Sequence, residues 1–240
     1  MQLTRLCALA LAALCVPSLA AAHITIVTGP ATANKTGQKI TFAVNHGCTA
    51  ASGQKLDTLS FQIDVPTGID PTSVRAMPSD FGATPTVART GTSVTSVKWT
   101  RNAADLQGDD LAYYEVTLRL KVLDVPFTRI PFVITQVCRP QGGTAADDVT
   151  VVWTGPSTNP EPSPVLVVVP SHAPGWNKLV LTTKIAAADL GTYFGDAQIL
   201  WKGTAAYSPN ATVAALIAVT PGASALSTDL AAGDEIWVKY

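Results

Sequence analysis

The amino-acid sequence predicts an all-β fold, an antiparallel sandwich in roughly two sheets, and three observations carry that expectation. Apolar residues recur at every second position over many short runs. Clusters of Gly, Pro, Asn and Asp separate those runs. Seven or more such runs follow one another, the pattern of a sandwich.

The strands are read in chain order from "HITIVT" and "KITFAV" onward. In "LDTLSFQIDV", Leu59, Phe61, Ile63 and Val65 are assigned to one face, with Ser60, Gln62 and Asp64 on the other. "SVKWT" follows, and Trp99 within it, like Trp153 in "VVWTG", reads as core. In "YYEVTLRLKV", Tyr114, Val116, Leu118, Leu120 and Val122 alternate with Glu115, Thr117, Arg119 and Lys121. "RIPFVITQV", "VTVVWT" and "PVLVVVP" complete the set, with "VPTGIDP", "MPSDFGATP" and "RPQGGTAADD" among the connections. The proline-rich "GPSTNPEPSP" and "PSHAPGW" then mark a change. Residues 171–240 read as a small α/β C-terminal extension, with strands in "WNKLVLTTKI", "AQILWKG" and "DEIWVKY" and short helices in "AADLGTYF" and "ATVAALIAV".

Residues 1–22 read as a signal peptide: Arg5, the apolar "LCALALAALCV", and Ala20-x-Ala22 as a cleavage site. Cleavage after Ala22 makes His23 the first residue; cleavage after Ala20 leaves Ala21 first. The mature chain, with no run long enough to span a bilayer, is expected in the periplasm or secreted. Removing Arg5 leaves 15 Lys and Arg against 17 Asp and Glu. That balance argues against a nucleic-acid partner and offers no polybasic patch for lipid. Cys7 and Cys15 leave with the leader, and Cys48 and Cys138 remain. In an exported chain such a pair is read as a disulfide, with a thiolate metal site including His46 as the rival.

A histidine at a free amino terminus offers two nitrogens, the α-amine and imidazole Nδ1, which close a chelate ring on one ion. Nitrogen donors in a flat arrangement suit copper(II). The bland alternative makes His23 merely the start of the first strand. Asp109 and Asp110 in "LQGDDLAYY" can supply a carboxylate or be plain turn chemistry. Glu115 reads as exposed, His46 as structural beside its cysteine, and His172 as solvated within a connector. No G-x-S-x-G, H-E-x-x-H or phosphate loop is present, and the expectation is a protein without catalysis.

Taken together, "HITIVTGPATAN", "HGC" at 46–48, "TQVCRPQGG…VVWTGP" and "SPVLVVVP" resemble the YcnI-like family of exported copper-binding proteins over residues 23–170. The tail is similar to extensions carried by proteobacterial members. The resemblance implies an immunoglobulin-like sandwich that binds copper(II) through a single-histidine brace. His23 would give the amine and Nδ1, Trp153 would close over the ion, and Asp109 or Asp110 would stand where the family has a glutamate. It also implies that Cys138 partners Cys48. The expected role is a chaperone or scavenger of copper, with another periplasmic or membrane copper-handling protein as partner. Two rivals remain: a copper-dependent enzyme that cleaves polysaccharides oxidatively, and a metal-free interaction module using Tyr193, Phe194, Trp201 and Tyr207.

Overall fold

The structure is a computed structural model and describes residues 24–81, 84–108 and 111–240. The first five strands are β1 (Thr25–Ile26), β2 (Ala31–Thr32), β3 (Gln38–Val44), β4 (Cys48–Thr49) and β5 (Lys55–Asp64). They lead into β6 (Arg75–Ala76), β7 (Thr86–Thr90), β8 (Ser93–Thr100) and β9 (Tyr114–Leu120). β10 (Thr128–Pro131), β11 (Ile134–Arg139), β12 (Val149–Trp153) and β13 (Val165–Val169) follow. One antiparallel sheet runs β1-β3-β9-β6 and the facing one β12-β11-β5-β8-β7, with β4 paired to the start of β5.

With β1, β3 and β9 in the places of strands A, B and E, and β5, β11 and β12 in those of C, F and G, the order is immunoglobulin-like. Alternation explains the inner faces. Ile40, Phe42 and Val44 of β3 and Val116, Leu118 and Leu120 of β9 are buried against Phe61, Ile63, Trp99 and Ile134 of the other sheet. Phe42 meets Phe132 edge-on at 5.0 Å between ring centres. β7 is exposed along its whole length, and its Thr and Arg side chains suit an unpartnered edge.

Two readings of the strands need correction. The run "RIPFVITQV" is two strands in different sheets, because β10 pairs with β13 in a small third sheet whose other member, β2, lies parallel to β13. In β5 the alternation fails between Leu56 and Ser60, where every side chain is buried. The register slips between Val137 and Cys138 against the facing β5, a bulge that turns this central strand.

The tail builds its own sheet from β14 (Trp176–Val180), β15 (Ile199–Lys202), β16 (Ala205–Tyr207), β17 (Ser224–Ala225) and β18 (Glu235–Lys239). Their order is β14-β18-β15-β16-β17, with helices α1 (Leu190–Tyr193) and α2 (Ala211–Val219) between strands. Asn210 caps α2 by accepting from the amides of Thr212 and Val213. The inner face packs Leu200, Ile236, Val238, Tyr193 and Phe194 around Phe127, which the sandwich contributes. Phe127 has φ +62°, a left-handed conformation rare for a bulky residue. Burial of its ring 5.7 Å from Tyr193 and 5.6 Å from Phe194 offsets that strain. Truncating Phe127 to alanine is expected to cost about 3–5 kcal/mol and to free the tail first; hydrogen exchange confined to residues 176–240 checks this, and unchanged protection there would contradict it.

Candidate functional site

Three expected site residues, His23, Asp109 and Asp110, lie outside the described residues; their neighbours do not. Ile24 is buried in the main core, and β1 pairs with β3 in the register Thr25↔Ala43 and Ile26↔Phe42. β3 pairs in turn with β9, Val44 against Tyr114. The start of β1, the end of β3 and the start of β9 therefore share one end of the sheet. The segment that follows Asp110 enters β9 at that end.

Beneath this end lies a polar network that sequence reasoning missed. Asp57, 1% exposed, forms an ion pair with Arg101 at 2.7 Å. The Tyr114 hydroxyl donates to the same carboxylate at 3.0–3.1 Å, and the Gln107 and Thr58 amides donate to it at 2.7 Å each. Arg101 also donates to the Tyr114 hydroxyl and the Asp105 carbonyl, and its guanidinium lies 4.5 Å from the centre of the Tyr114 ring. Phe81 closes the other side of Tyr114, edge-on at 5.1 Å. Arg101 and Gln107 precede Asp109–Asp110, and Tyr114 follows. One buried carboxylate thus tethers both shoulders of the loop that carries the candidate ligands.

Burial, and next the Asp57 charge, push the Tyr114 hydroxyl up to about 12. The phenol keeps its proton in the fold and donates it. A raised folded-state value means that Tyr114 favours the fold fully below its unfolded value near pH 10, and that this contribution is lost as pH rises from there to about 12. Tyr240, raised by its own burial, adds in the same direction. Tyr114→Phe is expected to flatten the decline of stability over that alkaline window in urea titrations; an unaltered slope would contradict the assignment.

Trp153 ends β12 and is 5% exposed. Its indole N–H donates to Gln136 Oε1 at 3.1 Å, while Gln136 Nε2 donates to the His46 carbonyl at 2.9 Å and to Thr58 Oγ1 at 2.7 Å. Gln136 is completely buried. It links the indole to the loop after β3, which fixes the ring's orientation. Gln136→Leu strips three groups of their partner and is expected to destabilise by about 1–3 kcal/mol; a denaturant midpoint equal to the parent's would refute that. The position was readable: Ile134, Gln136 and Cys138 alternate onto one face, so a glutamine points into the core.

Cys48 and Cys138 form the expected disulfide, with Cα atoms 5.8 Å apart across a sequence separation of 90. The bridge does not join the two sheets as in antibody domains. Both cysteines border β5, at Leu56 and Thr58, so the bond pins the Asn45–Gly47 loop to β11. The rival thiolate site is excluded by the bond. Glu115 is exposed as expected and accepts from the Tyr113 hydroxyl at 2.7 Å.

His172 differs from its reading as a solvated side chain. Its ring stacks on Tyr240 at 3.5 Å between centres and 5° between planes, and Nε2 stands 3.2 Å from Asp196. His172 and Asp196 border a cleft of about 370 Å³ between sandwich and tail, with Thr32 and Thr192. Tyr193 and Phe194 are core residues of the tail, which removes them as contact residues. Among the described residues no three His, Cys, Asp or Glu side chains converge as a metal site, and no helix is long and apolar enough to cross a membrane.

No protein-family model and no curated protein matches the chain. Among solved structures, an uncharacterized protein from Nocardia farcinica described as having an immunoglobulin-like fold is similar, with 18% identity and a TM-score of 0.44. The match covers 61% of this chain and 97% of that one. The fold assignment rests on the strand order above.

Proposed function

We propose that the sandwich binds one copper(II) ion at the amino terminus created by cleavage after Ala22, and serves as a copper chaperone or scavenger in the periplasm. The observation that carries this reading is the burial of Ile24 at the end of the sheet. One peptide bond separates Ile24 from His23, so a terminus at His23 would be anchored within about 4 Å of the packed core. Binding would then cost little ordering of the chain.

His23 would hold the ion through its α-amine and Nδ1, and Asp109 or Asp110 would add an oxygen from the loop tethered by Asp57. Copper(II) would supply a Lewis-acidic centre that favours tetragonal nitrogen and oxygen donors. The described residues fit a site that they support rather than coordinate. Trp153 has its indole N–H engaged by Gln136, so it can contribute an apolar ring face and exclude water. His46 and His172 give no support to a two-histidine brace, since His46 Nδ1 contacts the Gly47 carbonyl and His172 is stacked against Tyr240. That favours binding over oxidative cleavage.

Two comparisons test the proposal. Replacing His23 with alanine keeps the free terminal amine but removes Nδ1, and with it the chelate, and copper affinity is expected to drop at least about a hundredfold. Equal affinity would sink the brace. Both nitrogens must be free of protons to bind, with reference values near 7.7–8.0 and about 6.5, so affinity should rise with pH through about 6 to 8. A flat profile across that range would point to carboxylate ligands alone.

A further inference from the structure

The chain has five tryptophans, and their distribution is uneven. Trp99 and Trp153 are buried in the sandwich, while Trp176, Trp201 and Trp237 all lie on the outer face of the tail sheet. Trp176 is 53% and Trp237 46% exposed, an unusual placement for the largest apolar side chain. The register explains how they meet. Trp237 on β18 stands directly opposite Trp201 on β15 and opposite Lys178 on β14. Trp176 stands opposite Lys239, one diagonal step from Trp237. Three indoles thus cross three neighbouring strands and line a shallow trough of about 420 Å³.

Charge is interleaved with the rings. Lys178 forms an ion pair with Glu235 at 2.7 Å, and its ammonium lies 6.0 Å from the centre of the Trp237 ring. The face is therefore a chequer of aromatic planes and charged groups at one level. Each class of occupant but one meets a physical obstacle. A cationic ligand would compete with the protein's own lysine for the Trp237 face. A bilayer or a flat protein surface would have to strip water from the Lys178–Glu235 pair, which costs more than it returns. A second copy needs roughly 800 Å² per partner, about twice what three half-covered indoles present. The apolar helix α2 does not extend the patch, because it packs at the β16–β17 edge and lines no part of the trough.

We propose that this face binds the pyranose rings of an uncharged, β-linked polysaccharide. A sugar ring of that kind presents apolar C–H faces and carries its hydroxyls around the rim. The faces stack on Trp176, Trp237 and Trp201, and the hydroxyls replace water at Lys178, Glu235 and Lys239 without leaving the ion pair bare. The site is separate from the copper reading and stands or falls without it.

The test uses the full mature chain in a metal chelator, so that copper plays no part. Cellohexaose and chitohexaose are titrated with tryptophan fluorescence as the readout, alongside sedimentation with insoluble cellulose and chitin. The expected result is saturable binding to at least one of these, weakened at least about tenfold in Trp237→Ala and in Trp176→Ala. Because Trp176 lies on an edge strand, its variant keeps the test valid if loss of Trp237 loosens the sheet. Absence of saturable binding to all four probes overturns the proposal, as does binding that survives both substitutions. Tryptophan-dependent attachment to phosphatidylglycerol vesicles, or a tryptophan-dependent dimer in sedimentation equilibrium, without glycan binding, assigns the face to those partners instead.

Discussion

Replacing Asp57 with alanine is expected to lower the unfolding free energy by about 3–5 kcal/mol, because it leaves the Arg101 guanidinium buried without its counter-charge. The loss is more than one ion pair. Tyr114, Gln107 and Thr58 also donate to this carboxylate, so three further groups lose an acceptor. The double change Asp57→Leu with Arg101→Met is expected to recover much of the stability, since it removes the stranded charge as well. Urea denaturation of the single and double variants measures both. A loss below about 1 kcal/mol in Asp57→Ala would mean that water reaches the site and that the loop is not held as described. Hydrogen exchange should rise in residues 101–114 before it rises elsewhere, as expected if the carboxylate clamps both shoulders of the loop.

The second large effect is expected from the disulfide. Changing Cys48 and Cys138 together to serine opens a loop of sequence separation 90, for which the chain-entropy account gives roughly 4–5 kcal/mol and direct losses in small domains run at about 2–5 kcal/mol. The bond lies in a small cluster of its own with Leu56, away from the main core, so the sandwich should keep its strand order when the bond is lost. Near-native circular dichroism with a lowered denaturant midpoint is the expected outcome. Collapse to an unfolded chain in water would show that the bridge is required for folding rather than added to a sufficient core.

Much of the architecture follows from period-2 patterning, and the places where the reading failed have definite causes. β9 puts one face on the core and the other towards solvent or polar neighbours, so alternation identifies its inward residues correctly. β5 is central and bulged, and one stretch of it is buried on both sides; there polarity no longer reports direction, and Asp57, to which alternation assigned no face, is the best-buried carboxylate described. Arg101 and Tyr114 lie 44 and 57 residues from Asp57, which local pattern does not connect. The cysteine pair was legible from composition and compartment. The tail reads correctly as strands and short helices, yet its three outward tryptophans were scattered among separate segments until the register of β14, β18 and β15 aligned them. His172 sits in a proline-rich connector, a context that suggests solvent; its partners Asp196 and Tyr240 are distant in sequence.

For the proposed copper site the sequence names candidate ligands but not the Asp57 and Gln136 networks beside them. The A-x-A signal placed before His23, and the buried Ile24 immediately after it, are observations of different kinds that support one reading. The most direct measurement is native mass spectrometry of the exported protein before and after one equivalent of copper(II). The account predicts an apo mass for a chain that starts at His23, lowered by about two hydrogens for the Cys48–Cys138 bond, and retention of a single copper ion. A chain that starts at Ala21, or one that starts at His23 and retains no copper, would contradict it.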